Sequence, residues 1–326
     1  MNRVSHVQFG IIGTGNIAQG GHGNAFKETA VAKLLSVQSR ELARAQAFAK
    51  TYSAVRAYAS LHELLEDSAL DAVIITSPDK LHYEHASAVA RAKKHILLEK
   101  PMVTDSAQGE ELIRVCQDNG VLLGIGYHLR HHAGHKKLVD AVHRGEIGRP
   151  VHVRVHWSWR SADASNWRAS PHLGRWWSLA GVGTHCLDLA RWALLPSAGE
   201  VESLTAVASN ALYHGPHDEV SVLSLRFKNG ATAEICSSSI FASPTRLEVY
   251  GTEGYLIAEN TLGRHGGGRV FSDRGEVEYT IRNPFAEQLD SFAQAILTNG
   301  RPTVDGAEGL ANTKLLLQAA SADTFL

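Results

Sequence analysis

The sequence predicts an α/β fold joined to an α+β fold. A doubly wound parallel sheet comes first, followed by a domain on an open, mostly antiparallel sheet. Three observations carry this expectation. From about residue 7 to residue 127, short continuous apolar runs alternate with helical periods, as in strands buried on both faces. Beyond that point apolar and polar residues alternate singly, as in strands with one buried face. The texture changes near residue 126, giving expected domains of 1–126 and 127–326.

The first strand is expected at 7–12, leading into Gly13-Thr14-Gly15-Asn16-Ile17-Ala18. The next is 34–38, backed by an alanine-rich helix at 41–52. Residues 71–76 form another, stopped by Pro78. Strands at 95–98 and 121–125 flank a helix at 106–119. In such a sheet ligands bind at the carboxyl ends of the strands. In the second half, 151–159 puts Val151, Val153, Val155, Trp157 and Trp159 on one face. His152, Arg154, His156 and Ser158 take the other. Segments 219–228 and 231–237 flank Asn229-Gly230, a pair suited to a type I′ hairpin turn. Segments 246–250 and 255–258 flank a turn from Gly251 to Gly254, and helices at 284–297 and 305–322 close the chain. One sheet face is packed and the other is available to a partner.

The 326 residues suit two domains, and 44% hydrophobic with 20% charged residues is ordinary globular composition. A net charge of −1 gives no reason to expect nucleic acid or an anionic membrane as partner. No apolar run is long enough to span a bilayer, and the first one reads as a strand, not a signal peptide. Three dispersed cysteines, Cys116, Cys186 and Cys236, suit free thiols in a reducing compartment. The expected location is the cytoplasm, with a small molecule as substrate.

Gly13 permits a tight turn, Gly15 lets the backbone approach a pyrophosphate, and Ala18 allows close helix–strand packing. Thr14, Asn16 and Ile17 complete this dinucleotide-binding loop, which has the strand-then-helix context that a Rossmann fingerprint requires. Gly20, Gly21 and Gly23 weaken the following helix, so its first turns are expected to be irregular. After the second strand, where NAD enzymes usually carry an acid, stand Ser39 and Arg40. A hydroxyl and a guanidinium suit a 2′-phosphate, which favours NADP, with NAD also accommodated.

Leu98-Glu99-Lys100-Pro101, together with the segment from Ile75 to His82, resembles the glucose-fructose oxidoreductase / inositol dehydrogenase / MocA (Gfo/Idh/MocA) family. Gly126-Tyr127, Asn166-Trp167-Arg168, Gly183-Thr184-His185-Cys186-Leu187-Asp188 and the Tyr250 to Gly254 turn extend the resemblance over nearly the whole chain. It implies NAD(P)-dependent hydride transfer to or from a sugar, polyol or related compound. Lys100 is then the main proton-transfer residue; beside a cationic ring and partly out of water, a lysine gives up its proton more readily. Glu99 bonds the cofactor amide region or orients the lysine, and Pro101 fixes the turn. Thr76, Ser77, Pro78 and His82 line the cofactor crevice, and Trp167 and Arg168 contact the cofactor near its nicotinamide. A homodimer or homotetramer through the C-terminal sheet is expected.

His185 is the implied acid/base partner of the substrate oxygen, with Asp188 one turn on. Many members carry Asp four residues before this histidine; here it is Gly181, so no carboxylate relay runs through that position. A non-catalytic NAD(P)-binding sensor is therefore the rival reading. Tyr127, Arg130 and Asp188 are expected at the substrate, with a histidine from the following cluster as a further contact. If helical, His128, His131, His132 and His135 share one face, which raises a third reading, a metal-dependent enzyme. Gly134 and the lack of an HExxH glutamate weigh against it, and no metal is expected.

Overall fold

The computed structural model describes residues 6–170 and 172–322, which divide into two compact units: 6–128 with 285–311, and 129–284 with 312–322.

In the first unit β1 (Val7–Ile12), β2 (Ala32–Gln38), β3 (Arg56–Tyr58), β4 (Ala72–Ile75), β5 (His95–Leu98) and β6 (Leu123–Ile125) form a parallel sheet. The order is β3-β2-β1-β4-β5-β6, reversing between β1 and β4 as in a doubly wound dinucleotide-binding sheet. Helices α1 (Leu42–Tyr52), α2 (Leu61–Leu65), α3 (His82–Arg91) and α4 (Ser106–Asp118) alternate with the strands. Successive strand residues go to opposite buried clusters. Ile12, Val73, Ile75, Ile96 and Leu98 enter one, and Phe9, Ile11, Ile74 and Leu97 the other. Burial of each such side chain contributes about 1.5–3 kcal/mol, which is why both faces read as unbroken apolar runs. The sequence pattern does not disclose β3: it is three residues long, begins with exposed Arg56, and pairs only with β2.

In the second unit α5 (Ala133–His143) and α6 (Thr184–Ala198) accompany an eight-stranded sheet. Its strands are β7 (Pro150–Ser158), β8 (Val201–Ser209), β9 (Val220–Phe227), β10 (Thr232–Ser238), β11 (Arg246–Gly251), β12 (Tyr255–Glu259), β13 (Arg269–Ser272) and β14 (Gly275–Glu276). The order is β14-β13-β12-β11-β7-β10-β9-β8, antiparallel except where β7 meets β10. Val153, Val155, Leu223, Ile235, Leu247 and Val249 share one buried cluster with Leu138, Val142, Leu187 and Leu194 of the two helices. The opposite sheet face keeps Arg154, Arg226 and Thr232 exposed. The β9–β10 loop differs from the expected type I′ turn. Only Gly230 has positive φ, at 90°, while the Asn229 side chain accepts from Ala231 N at 2.8 Å, so the loop is Lys228–Asn229–Gly230.

The last helices are α7 (Pro284–Leu297) and α8 (Gly306–Ala322). The boundary expected at 126/127 assigns α7 to the second domain. In the structure α7 returns to the first unit, because Phe285, Leu289 and Phe292 belong to the buried cluster of Phe9 and Ile74. All three cysteines are free thiols. No helix among the described residues is long and apolar enough to cross a membrane.

Candidate active site

Five candidate segments follow the carboxyl ends of first-unit strands. After β1, Gly13 takes φ 93°, and a Cβ there would stand 2.9 Å from Thr76 Oγ1, so glycine is required. The Thr76 hydroxyl, after β4, donates to Ile12 O at 2.8 Å and holds the two loops together. At Gly15 the constraint differs: a Cβ would meet no protein atom within 4 Å. That opening fits close approach of a pyrophosphate at the start of a helix. Asn16 and Ile17 begin this helix, which becomes a π-turn over Ala18–Gly23, the irregularity expected from its glycines. Thr14 Oγ1 donates to Ser39 Oγ at 3.3 Å, bringing the ends of β1 and β2 together, and Arg40 beside them is exposed.

Ser77 is buried, its hydroxyl 2.9 Å from His85 Nδ1, and Pro78 is half-buried beside it. His82, expected to line the crevice, is a clamp instead. Its Nδ1 lies 2.8 Å from Pro101 O and its Nε2 2.9 Å from Ser77 O, so the ring ties the loop after β4 to the loop after β5.

Glu99 and Lys100 are both buried, and Glu99 Oε2 accepts from the Lys100 backbone N at 3.2 Å. The other oxygen, Oε1, is 2.8 Å from Nε2 of His22, a residue that the sequence pattern does not single out. Burial pushes the Glu99 carboxyl up. The His22 hydrogen bond and the charges of His22, Lys100 and His128 outweigh it and hold the group down at about 2. Gly126 packs against this carboxyl: a Cβ there would stand 3.1 Å from Glu99 Cδ. Tyr127, expected at the substrate, is fully buried in the cluster that holds Leu98 and Ile125. Its large apolar ring is better accommodated in that core.

In the second unit His185 lies buried near the start of α6, its ring 5.4 Å from that of Trp157. Asp188 and Arg130, both expected to meet substrate, meet each other. Arg130 Nε donates to Asp188 Oδ2 at 2.8 Å and Nη2 to Oδ1 at 2.7 Å, while Asn312 Nδ2 also donates to Oδ1 at 2.8 Å. A buried carboxylate requires such partners, so the pair positions α6. Trp167 and Arg168 sit in a 3₁₀ turn with the guanidinium 4.1 Å from the indole centroid. Asp218, also not evident in the sequence, accepts from Trp177 N, Ser178 Oγ, Leu179 N and Ser221 Oγ. Burial raises its pKa against these donors. It anchors the segment entering the π-turn Leu179–Gly183 ahead of His185.

The histidine cluster does not form the shared helical face. His128–His131 is a 3₁₀ turn, and His132, with extended backbone (φ −67°, ψ 122°), caps α5. His132 Nδ1 accepts from Gly134 N and His135 N, and its Nε2 donates to Gly267 O. His135 bonds Leu129 O and Thr261 Oγ1. Two of the four histidines that the metal-enzyme reading needs, His132 and His135, thus have their ring nitrogens engaged within the protein. Among the described residues no group of three or more His, Cys, Asp or Glu is arranged to hold a metal.

Comparison with known proteins agrees with this architecture. The chain is 29% identical over 310 residues to 1,5-anhydro-D-fructose reductase of Ensifer adhaerens, covering 93% of this chain and 92% of that one. It is 28% identical to D-xylose 1-dehydrogenase (NADP(+)) 2 of Haloferax volcanii, covering 93% of each. The crystal structure of an aldose-aldose oxidoreductase from Caulobacter crescentus, complexed with glycerol, matches with TM-score 0.89 and 25% identity over 97% of each chain. Residues 7–127 match the oxidoreductase family with NAD-binding Rossmann fold, and residues 135–257 match the GFO/IDH/MocA C-terminal domain. The chain belongs to the Gfo/Idh/MocA oxidoreductase family.

Proposed function

We propose that the protein is an NADP-preferring dehydrogenase or reductase of a sugar, polyol or related hydroxy or carbonyl compound. The observation that carries this reading is the buried Glu99–Lys100 pair at the carboxyl end of β5, with Glu99 held ionised. Relatives named for anhydrofructose, xylose and aldose chemistry support the substrate class. Ser39 and exposed Arg40 support NADP over NAD.

The bound dinucleotide supplies a hydride donor or acceptor at its nicotinamide. Gly13 to Ile17 seat the pyrophosphate, with Gly15 leaving the space. Arg40 pairs with the 2′-phosphate through charge-assisted bonds. Lys100 exchanges the proton of the reacting oxygen, assisted by His185, and Glu99 fixes the lysine. Trp167 and Arg168 would contact the cofactor near its nicotinamide end. Arg130 and Asp188 act on the substrate through the placement of α6.

The test is a screen of aldoses and polyols with NADP⁺, and of their carbonyl products with NADPH, on wild type and Lys100→Ala. Turnover lost in the variant, with NADPH binding within about threefold, supports the reading; near-normal turnover refutes it. Gly181 favours one rival, a sensor that binds NADPH without turning over any substrate. The open face of the second sheet, where exposed Val207 and Val222 pair across β8 and β9, supports assembly as a homodimer or homotetramer. Sedimentation of wild type against Val207→Lys/Val222→Lys tests that.

A further inference from the structure

We infer that His22 is a positioning residue for Lys100, acting through Glu99. This rests on the reading of Lys100 as the proton-transfer residue. The backbone is built to deliver His22. A Cβ on Gly21 would stand 2.8 Å from the Phe285 ring, and one on Gly23 would stand 2.8 Å from the Tyr52 ring. Only glycines on both sides let this turn settle onto its neighbours, with His22 fully buried between them. The π-turn adds a residue to the helical repeat at this place, a feature that often accompanies functional sites. The Phe285 ring meets His22 edge-on at 5.1 Å and stacks on His128 at 4.2 Å, which fixes the imidazole plane. The result is a chain of contacts from His22 Nε2 to Glu99 Oε1, and from Glu99 Oε2 to the Lys100 backbone.

Titratable groups face Glu99 from three elements: His22 on the π-turn, Lys100 after β5, and His128 after β6. The His22 ring bonds the carboxylate directly, at 2.8 Å. Without that donor, a carboxylate buried this deeply takes up a proton, and Lys100 loses the anion beside it. His22 thus sets the charge next to the reacting lysine without touching substrate.

The experiment follows the pH midpoint of the Lys100 ε-carbon NMR signal, assigned by its loss in Lys100→Ala, in full-length variants. His22→Phe, which keeps the packing against Phe285, should lower the midpoint by about one pH unit. His22→Gln, which retains a donor, should stay near wild type. Glu99→Gln should reproduce the His22→Phe shift, and adding His22→Leu, which removes the donor, should change nothing more. An unmoved midpoint in His22→Phe overturns the inference. So does a further shift in the double variant, which decides the matter if His22→Phe does not fold. In turnover, His22→Phe should lose about tenfold in kcat while the NADPH KM stays within threefold. Since the NMR midpoint needs no substrate, normal turnover of Lys100→Ala would sink the catalytic reading while leaving this coupling to stand or fall by itself.

Discussion

Arg130 and Asp188 bind each other in a two-pronged ion pair, at 2.8 and 2.7 Å, with both side chains almost entirely out of solvent. The pair joins the turn before α5 to the first turns of α6, three residues beyond His185. Asn312 completes the coordination of the carboxylate.

Breaking one side of this pair strands the other charge in the interior. Asp188→Ala and Arg130→Met should each cost about 3–5 kcal/mol in urea unfolding. Arg130→Met/Asp188→Leu should cost clearly less than the sum, because neither charge is left behind. Additive losses would show that the two side chains do not act as a unit.

Glu99 makes stability depend on pH. Its folded pKa, about 2, lies below the usual 4.5, so the folded state favours the ionised form. This contribution, about 3 kcal/mol, is complete above roughly pH 4.5 and is lost as the pH falls toward about 2. Urea midpoints at pH 7, 4 and 3 should fall more steeply for wild type than for Glu99→Gln. Parallel curves would assign the acid sensitivity to other carboxylates.

Arg40 should discriminate between cofactors. A charge-assisted bond contributes about 1.5–3 kcal/mol, so Arg40→Ala should weaken NADPH binding about 10- to 100-fold. NADH binding should change less than threefold by fluorescence titration. Equal losses would remove the argument for NADP.

Gly181 should accept the aspartate that the family resemblance leads one to expect four residues before His185. A Cβ there meets only Trp159 Nε1, at 3.6 Å, an ordinary contact. Gly181→Asp should therefore fold within about 1 kcal/mol of wild type by thermal melting. It should also raise kcat on any substrate that turns over, by supplying His185 with a carboxylate. A stable variant with lower kcat would mean that the glycine itself serves the reaction.

Local sequence carried much of this. Gly13, Gly15 and the Glu99-Lys100-Pro101 run are legible because each requirement is met within a few residues of one strand end. β3 was not, since three residues with an exposed arginine leave no periodic signal. His22 looked like one histidine among 18 in a glycine-rich stretch, and its partner lies 77 residues away. Asp218 stood just outside the strand expected at 219–228 and drew no reading, although its four donors come from Trp177 to Leu179 and from Ser221. The histidine spacing suggested a helix that His132 interrupts by capping the next one. For His22 and Asp218, partners far along the chain supplied what the local pattern lacked.

The return of α7 to the first unit has a consequence for synthesis. Phe285, Leu289 and Phe292 belong to the cluster begun by Phe9, yet the ribosome makes them after the entire second sheet. A nascent chain that has just passed residue 128 holds all six parallel strands but still shows water the apolar surface that α7 will cover. Of the two units, the nucleotide-binding one begins first in the chain, yet it is completed only after the whole second sheet has been made.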